Sequence, residues 1–282
     1  MLPIEQVLEH PDSDCLIEYR TQEETMGGEL PTASPDDAIR AMPFYIVVDR
    51  SGSMAGAPII GANTIIPAIC QCLAADPTAA DCAHLGMISF NTTARVDLPL
   101  TSLSDLIDNE AGSDLRPALV AGGGTTFRAP IEALIDQIPQ DVDRLKARGF
   151  EVYRPAVFFI TDGGDNGGDF EVPFGRLTRL KYYPQIVPFG FGAVSQPELD
   201  LLVWPKVATE AYTPRWYQGS GNDTGAIIAA IIRGLSMSIM RTSRSVSGAG
   251  LWVNPAPRTD ELGHGSAVMA HDASPFPEGA RL

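Results

Sequence analysis

The first strong pattern along the chain is Phe44-Tyr-Ile-Val-Val48, an aromatic and β-branched run between Pro43 and a polar, glycine-containing turn. A run without polar alternation predicts a strand buried on both faces. Apolar residues then recur at helical spacing over Ala57–Ala75. Pro58 suits the first turn of that helix, and Pro67 must kink or shift it. Leu85–Phe90 predicts a second strand, and the alternating Arg95–Leu100 a third, at an edge and hairpinned through Asn91-Thr-Thr. The loop Ala121-Gly-Gly-Gly124 leads into a helix around Ala129–Gln137. Pro155–Ile160 is the most hydrophobic strand; Gln185–Phe191 is another, followed by a helix near Pro197–Val203. Lys206–Glu210 is a weaker candidate strand, and Asp223–Arg241 a long helix with Ile, Leu and Met on one face. Strands alternating with helices predict an α/β fold, with a mostly parallel sheet covered on both faces. From about Ser245 the chain is rich in Ser, Gly and Pro and reads as an extended or disordered segment, with Trp252 as a candidate anchor. There is no internal repeat.

Composition narrows the function classes. The chain has 282 residues, is 44% hydrophobic and 20% charged, and carries a net charge of −15. That is globular composition, with room for a sizeable core. The acidity argues against nucleic-acid binding, although it leaves room for one local basic patch. More than half of the excess sits in residues 1–40, which hold ten acids and two arginines and read as a solvated acidic arm or a docking arm. Uninterrupted apolar runs such as Ala226–Ile232 are far shorter than a bilayer requires, so no membrane association is expected. The start, MLPIEQVLEHPD, lacks the features of an export signal. Cys15, Cys70, Cys72 and Cys82 show no zinc-ligand spacing, and Cys70 and Cys72 read as small core hydrophobes. Unpaired thiols without an export signal predict a cytoplasmic protein.

Three separate segments each place polar oxygens at the carboxyl end of a hydrophobic strand. They are Asp49-Arg-Ser51-Gly-Ser53 after Val48, Gly123-Gly-Thr125 opening a helix, and Asp162 after Ile160-Thr161. In open parallel sheets, ligand sites form outside the carboxyl ends of strands, so the three can converge. Two carboxylates and three hydroxyls, without imidazole or thiolate, suit Mg²⁺ or Mn²⁺ rather than zinc. Ser51 and Ser53, two apart, can turn to one side of an extended loop. Asp49 and Asp162 would then act mainly through water or through the serine hydroxyls. Neutral hydroxyls leave much of a dication's charge uncompensated, which would attract an incoming carboxylate.

These residues resemble the metal-ion-dependent adhesion site of the von Willebrand factor A family. The resemblance extends through Tyr45-Ile-Val-Val-Asp-Arg-Ser-Gly-Ser-Met-Ala-Gly56, Pro99-Leu-Thr101, the Gly-Gly-Thr125 loop and Phe158-Phe-Ile-Thr-Asp-Gly163. With Leu235-Ser-Met-Ser-Ile and Ser243-Arg-Ser-Val-Ser247, the set is similar to the TerY-like bacterial branch, associated with tellurite resistance and stress. It covers roughly residues 42–247, leaving 1–41 as an acidic N-terminal extension and 248–282 as a Ser/Gly/Pro-rich tail. The resemblance implies a Rossmann-like, doubly wound, six-stranded sheet of order 3-2-1-4-5-6. It implies metal ligands at Asp49, Ser51, Ser53, Thr125 and Asp162 holding Mg²⁺, with Mn²⁺ or Ca²⁺ as alternatives. It further implies a protein-interaction module, not an enzyme, in a bacterial stress-response, tellurite-resistance or phage-defence system. The partner would supply an Asp or Glu as the last ligand, and a kinase or phosphatase encoded nearby fits that role.

Some residues depart from the family pattern. Arg128 stands where TerY-like members usually have Gly; it either clamps a ligand carboxylate or points to solvent. Thr126 adjoins Thr125, which is preferred because it directly follows Gly-Gly. Asp165 and Asp169 offer either a second cation site, for Ca²⁺, or a Gly-rich surface turn with solvated carboxylates. A Ser- or Asp-dependent hydrolase or phosphotransfer enzyme is the rival class, and a scaffold without bound metal is a second alternative. Yet Arg50-Ser-Gly-Ser53 is not a nucleophile elbow, and Gly122–Thr125 lacks the lysine of a phosphate loop. A phosphotransfer Asp would want a second Asp where Ser51 stands. None of His10, His84, His264 and His271 is well placed as a base.

Overall fold

The computed structural model of the chain describes residues 39–108, 118–208, 212–221, 223–244, 255–262 and 267–275. Most of the acidic arm therefore lies outside the described residues, as do Cys15 and Trp252.

Eight strands form one sheet: β1 (Arg40–Asp49), β2 (Ala83–Phe90), β3 (Ala94–Ser102), β4 (Glu151–Val152), β5 (Ala156–Thr161), β6 (Gln185–Gly190), β7 (Arg215–Gly219) and β8 (Val268–Asp272). The order is β3-β2-β1-β5-β6-β7-β8, with the two-residue β4 pairing with the start of β1. Setting β4 aside, the path from β3 to β7 is the expected 3-2-1-4-5-6. The central pairs are parallel. The outer pairs β2–β3 and β7–β8 are antiparallel.

Alternate residues of β1 serve opposite faces, as the two-residue period of a strand requires. Phe44, Ile46 and Val48 pack with α1 (Ala57–Ala62), α2 (Ile65–Leu73) and α8 (Thr224–Arg244). Tyr45 and Val47 pack with α5 (Arg128–Ala147) and α6 (Glu171–Leu177). Both faces are apolar, which is why the strand reads as an unbroken run. Short helices α3 (Pro77–Cys82), α4 (Leu103–Asp108) and α7 (Gln196–Leu202) complete the layers. By length and composition alone α8 could cross a membrane, but here its apolar face is buried in the domain.

Several expectations need correction. The sheet has two more strands than six, because β4 and β8 join it. β8 comes from the segment expected as an extended or disordered tail; all five of its residues pair with β7. The helix over Ala57–Ala75 is two helices. Asn63 breaks it, its side chain bonding the Ile59 and Leu119 carbonyls and the Leu119 amide. Pro67 then falls in the first turn of α2, where a missing amide proton is harmless. Helix α5 runs through Pro139 to Ala147, because Ile138, Val142 and Leu145 keep its apolar face in register with the core. Of Lys206–Glu210, the described residues 206–208 form no strand, and Lys206 instead binds Asp200 at 2.9 Å. The strand is β7, fixed by Tyr217 stacked on Phe189 with ring centres 4.7 Å apart. Cys72 is exposed, not core, whereas Cys70 is half-buried against the α8 side of the core.

Candidate metal centre

The sheet delivers Asp49 and Thr161 as the last residues of adjacent parallel strands β1 and β5. The loops that follow are tied together by backbone bonds. Arg50 N–H donates to the Phe90 carbonyl at 2.7 Å, Gly52 N–H to Gly123 at 2.9 Å, and Gly122 N–H to Arg50 at 2.9 Å. Beneath them Phe90, Phe127, Phe159 and Phe170 form an aromatic platform, with the Phe127 and Phe159 ring centres 5.1 Å apart at 78°. Phe127 and Phe159 lie two and three residues from Thr125 and Asp162, and the Phe90 carbonyl receives Arg50 N–H, so core packing supports the loops from below.

Four of the five expected ligands are joined through hydrogen bonds. The fully buried Asp49 accepts from Ser51 N–H at 2.7 Å through Oδ1, and from the Thr161 hydroxyl at 2.7 Å through Oδ2. Ser51 Oγ and Ser53 Oγ are 3.0 Å apart. Ser53 Oγ donates to Asp162 Oδ1 at 2.7 Å. Thr125 enters from the opposite loop; the described residues 118–124 ahead of it form no strand, so the strand end expected there is replaced by a loop. A Cβ placed on Gly163 would lie 4.0 Å, an ordinary contact distance, from both Ser53 Oγ and Thr125 Oγ1, so both hydroxyls border the space beside Gly163. Thr126 points elsewhere, its hydroxyl packing against Gly167.

Burial pushes the Asp49 carboxyl above its ordinary range; the Thr161 and Ser51 hydrogen bonds oppose this, and the charge of Asp162 adds to it. Burial likewise raises Asp162, against the bond from Ser53. Neither carboxylate has an ion-pair partner among the described residues. Two buried negative charges beside three hydroxyls form an all-oxygen donor set that lacks a compensating positive charge. That set fits a hard divalent cation.

The flanking residues have other duties. Arg128 bonds Glu132 at 3.0 Å and lies 3.9 Å from Asp169, with half of its side chain exposed. Asp165 Oδ1 accepts from Phe127 N–H at 2.9 Å, which ties the loop after β5 to the residue ahead of α5. Among the described residues no group of three or more His, Cys, Asp and Glu side chains converges on a cation site.

Sequence reasoning missed two braces. Thr161 orients Asp49, and its position between an apolar strand and Asp162 was the available signal. Asn91 donates to the Gly122 carbonyl at 2.7 Å, and its carbonyl receives Thr126 N–H at 2.9 Å. In the sequence it reads only as a turn residue.

The family model for the von Willebrand factor type A domain matches residues 44–213. The chain belongs to this family. Its von Willebrand factor A domain is similar in fold to the von Willebrand factor type A protein from Catenulispora acidiphila. That match has a TM-score of 0.50 and 17% identity, covering 71% of this chain and 43% of that one. It also matches proximal thread matrix protein 1 of the mussel byssus, described with a zinc-occupied metal-ion-dependent adhesion site. Here the TM-score is 0.44 with 20% identity, covering 58% and 39% of the two chains. The SpRpn10 VWA domain matches with a TM-score of 0.41 and 12% identity, covering 57% and 80%. The chain spans less than half the length of the first two proteins. No curated protein matches it.

Proposed function

We propose that the domain holds Mg²⁺ at Asp49, Ser51, Ser53, Thr125 and Asp162, and uses that site to bind an Asp or Glu side chain of a protein partner. The carrying observation is the pair of buried carboxylates, without an ion-pair partner among the described residues, behind three hydroxyls, two of which border the space beside Gly163. Ser51, Ser53 and Thr125 would ligate directly, and Asp49 and Asp162 would orient the hydroxyls and supply negative charge. The bound ion would supply a Lewis-acidic position that favours an anionic oxygen. Mn²⁺ suits the same set; Ca²⁺ wants a larger shell of roughly 6–8 oxygens.

The domain works by binding, not turnover. Among the described histidines, His84 lies near the start of β2 and His271 in β8, so neither accompanies Ser51 or Ser53 as a base. Its place is the cytoplasm, within a bacterial stress-response, tellurite-resistance or phage-defence system, with a kinase or phosphatase encoded nearby as partner. The sequence likeness to the TerY-like branch supports this placement.

The test is a melting experiment. Mg²⁺ or Mn²⁺ raises the midpoint of the wild-type protein, by the equivalent of about 2.7 kcal/mol at 100 Kd. EDTA reverses the gain, and Asp49→Ala abolishes it. An equal gain in Asp49→Ala overturns the reading. Turnover that needs Ser53 but ignores EDTA would replace it with a hydrolase.

A further inference from the structure

At the other end of β5 from Asp162, the chain carries a second feature that the metal centre does not use. A cavity of about 210 Å³ is lined by Val142 and Lys146 of α5, Val152 of β4, Tyr153, Arg154 and Pro155 ahead of β5, and Lys181 and Tyr182 ahead of β6. Six residues of β5, at ~3.3 Å each, put it about 20 Å from the metal site.

Three of the lining residues are cationic and none is acidic. Tyr182 contacts two of the cations and Tyr183 the third. Lys146 Nζ is 4.4 Å and Lys181 Nζ 5.0 Å from the centre of the Tyr182 ring. The Arg154 guanidinium lies 3.8 Å over Tyr183, and its Nη1 donates to the Tyr183 carbonyl at 3.1 Å. Ring faces attract cations but do not neutralise them. Lys146 and Lys181 have no ion-pair partner among the described residues. Asp143 acts on Lys181 electrostatically without pairing with it. Among the described residues that line the pocket none is acidic, although the chain carries a net charge of −15. An anion from outside would relieve the repulsion between Lys146 and Lys181.

We propose that this pocket is a binding site for the phosphate group of a monoester. A phosphate dianion presents several acceptor oxygens, which two ammonium groups and a guanidinium can bond together. The pocket's size admits one such group. A nucleic acid fits poorly, because it needs a continuous basic track and the rest of the chain is strongly acidic. The phosphate can come from a free metabolite or from a phosphorylated side chain of a protein; the chemistry of recognition is the same.

The test uses the full chain in EDTA, so that no metal at Asp49 competes for phosphate. Inorganic phosphate, glycerol phosphate and a phosphoserine peptide are titrated by calorimetry at constant ionic strength set with chloride. Saturable binding of inorganic phosphate is expected in the wild type. Lys146→Gln with Lys181→Gln should weaken it by about tenfold or more, equivalent to about 1.4 kcal/mol. Both are surface lysines, so the melting midpoint of that double variant should match wild type and show that it folds. A peptide that binds at least as much tighter than glycerol phosphate identifies a protein source, and equal binding identifies a metabolite. Absence of saturable binding by all three probes, or equal affinity in the double variant, overturns the proposal.

Discussion

The Thr161 hydroxyl donates to Asp49 Oδ2 at 2.7 Å, linking the last residue of β5 to the last residue of β1. This bond sets the rotation of a carboxylate that has no access to solvent. Thr161→Val keeps the shape and removes the donor. It should destabilise the fold by about 1–3 kcal/mol, because Oδ2 is left buried without a partner. Affinity for Mg²⁺ should fall by about 10–100-fold, the usual effect of losing a group that orients a ligand. Urea melts and a metal titration read the two effects separately. An unchanged metal affinity would deny Thr161 its orienting role.

Gly163 is the second test. Its Cβ position is in ordinary van der Waals contact with the Ser53 and Thr125 hydroxyls, so Gly163→Ala should bind metal nearly as the wild type does. Gly163→Val pushes methyl groups between those hydroxyls and should abolish the Mg²⁺ gain in melting temperature. If both variants respond to Mg²⁺ like wild type, the space between the hydroxyls is not the site.

Asp165 accepts a hydrogen bond from Phe127 N–H, two residues beyond Thr125. Asp165→Ala should lower stability by about 1 kcal/mol, the usual net contribution of one such bond. It should leave the stoichiometry of Ca²⁺ or Mg²⁺ binding at one ion per chain. A loss of one bound Ca²⁺ in this variant would instead make Asp165 a ligand.

His84 supplies a pH signature. Burial holds its imidazole below the ordinary 6.5, Arg148 and Arg144 push the same way, and the contact with the Cys82 carbonyl opposes them. A lowered value means that the unfolded chain takes up the proton first. The native state therefore loses stability as pH falls through 6.5 toward the folded value, and none is lost above it. His84→Gln should remove this component while sharing every carboxylate titration with wild type. The difference between their stabilities should be constant above neutral pH and shift toward the variant in mild acid. A difference that is flat across this range would show an imidazole free to protonate in the fold.

The candidate metal-site residues were singled out because their neighbours carry clear local signatures. Asp49 follows Ile46-Val-Val48, Asp162 follows the most hydrophobic strand, and Thr125 follows paired glycines. What holds these residues was less legible. Thr161 and Asn91 act through bonds to carboxylate and backbone groups that are distant in sequence, which no local pattern encodes. Strand β7 escaped because Arg215-Trp-Tyr-Gln-Gly lies between a proline and a polar turn and is held by ring stacking on β6. The break in the first helix was invisible for the same reason as Asn91: Asn63 is engaged by Leu119, 56 residues away.

Strand β8 changes where the chain can be shortened. It covers the open hydrogen-bonding side of β7 with five consecutive pairings, from Val268–Gly219 to Asp272–Arg215. A polypeptide ended at residue 247, where the family resemblance stops, would lose that cover. Its bare amides and carbonyls beside Trp216 and Tyr217 would template pairing with a neighbouring molecule. The expected behaviour is self-association that grows with concentration, so any functional dissection should carry the chain at least through Asp272.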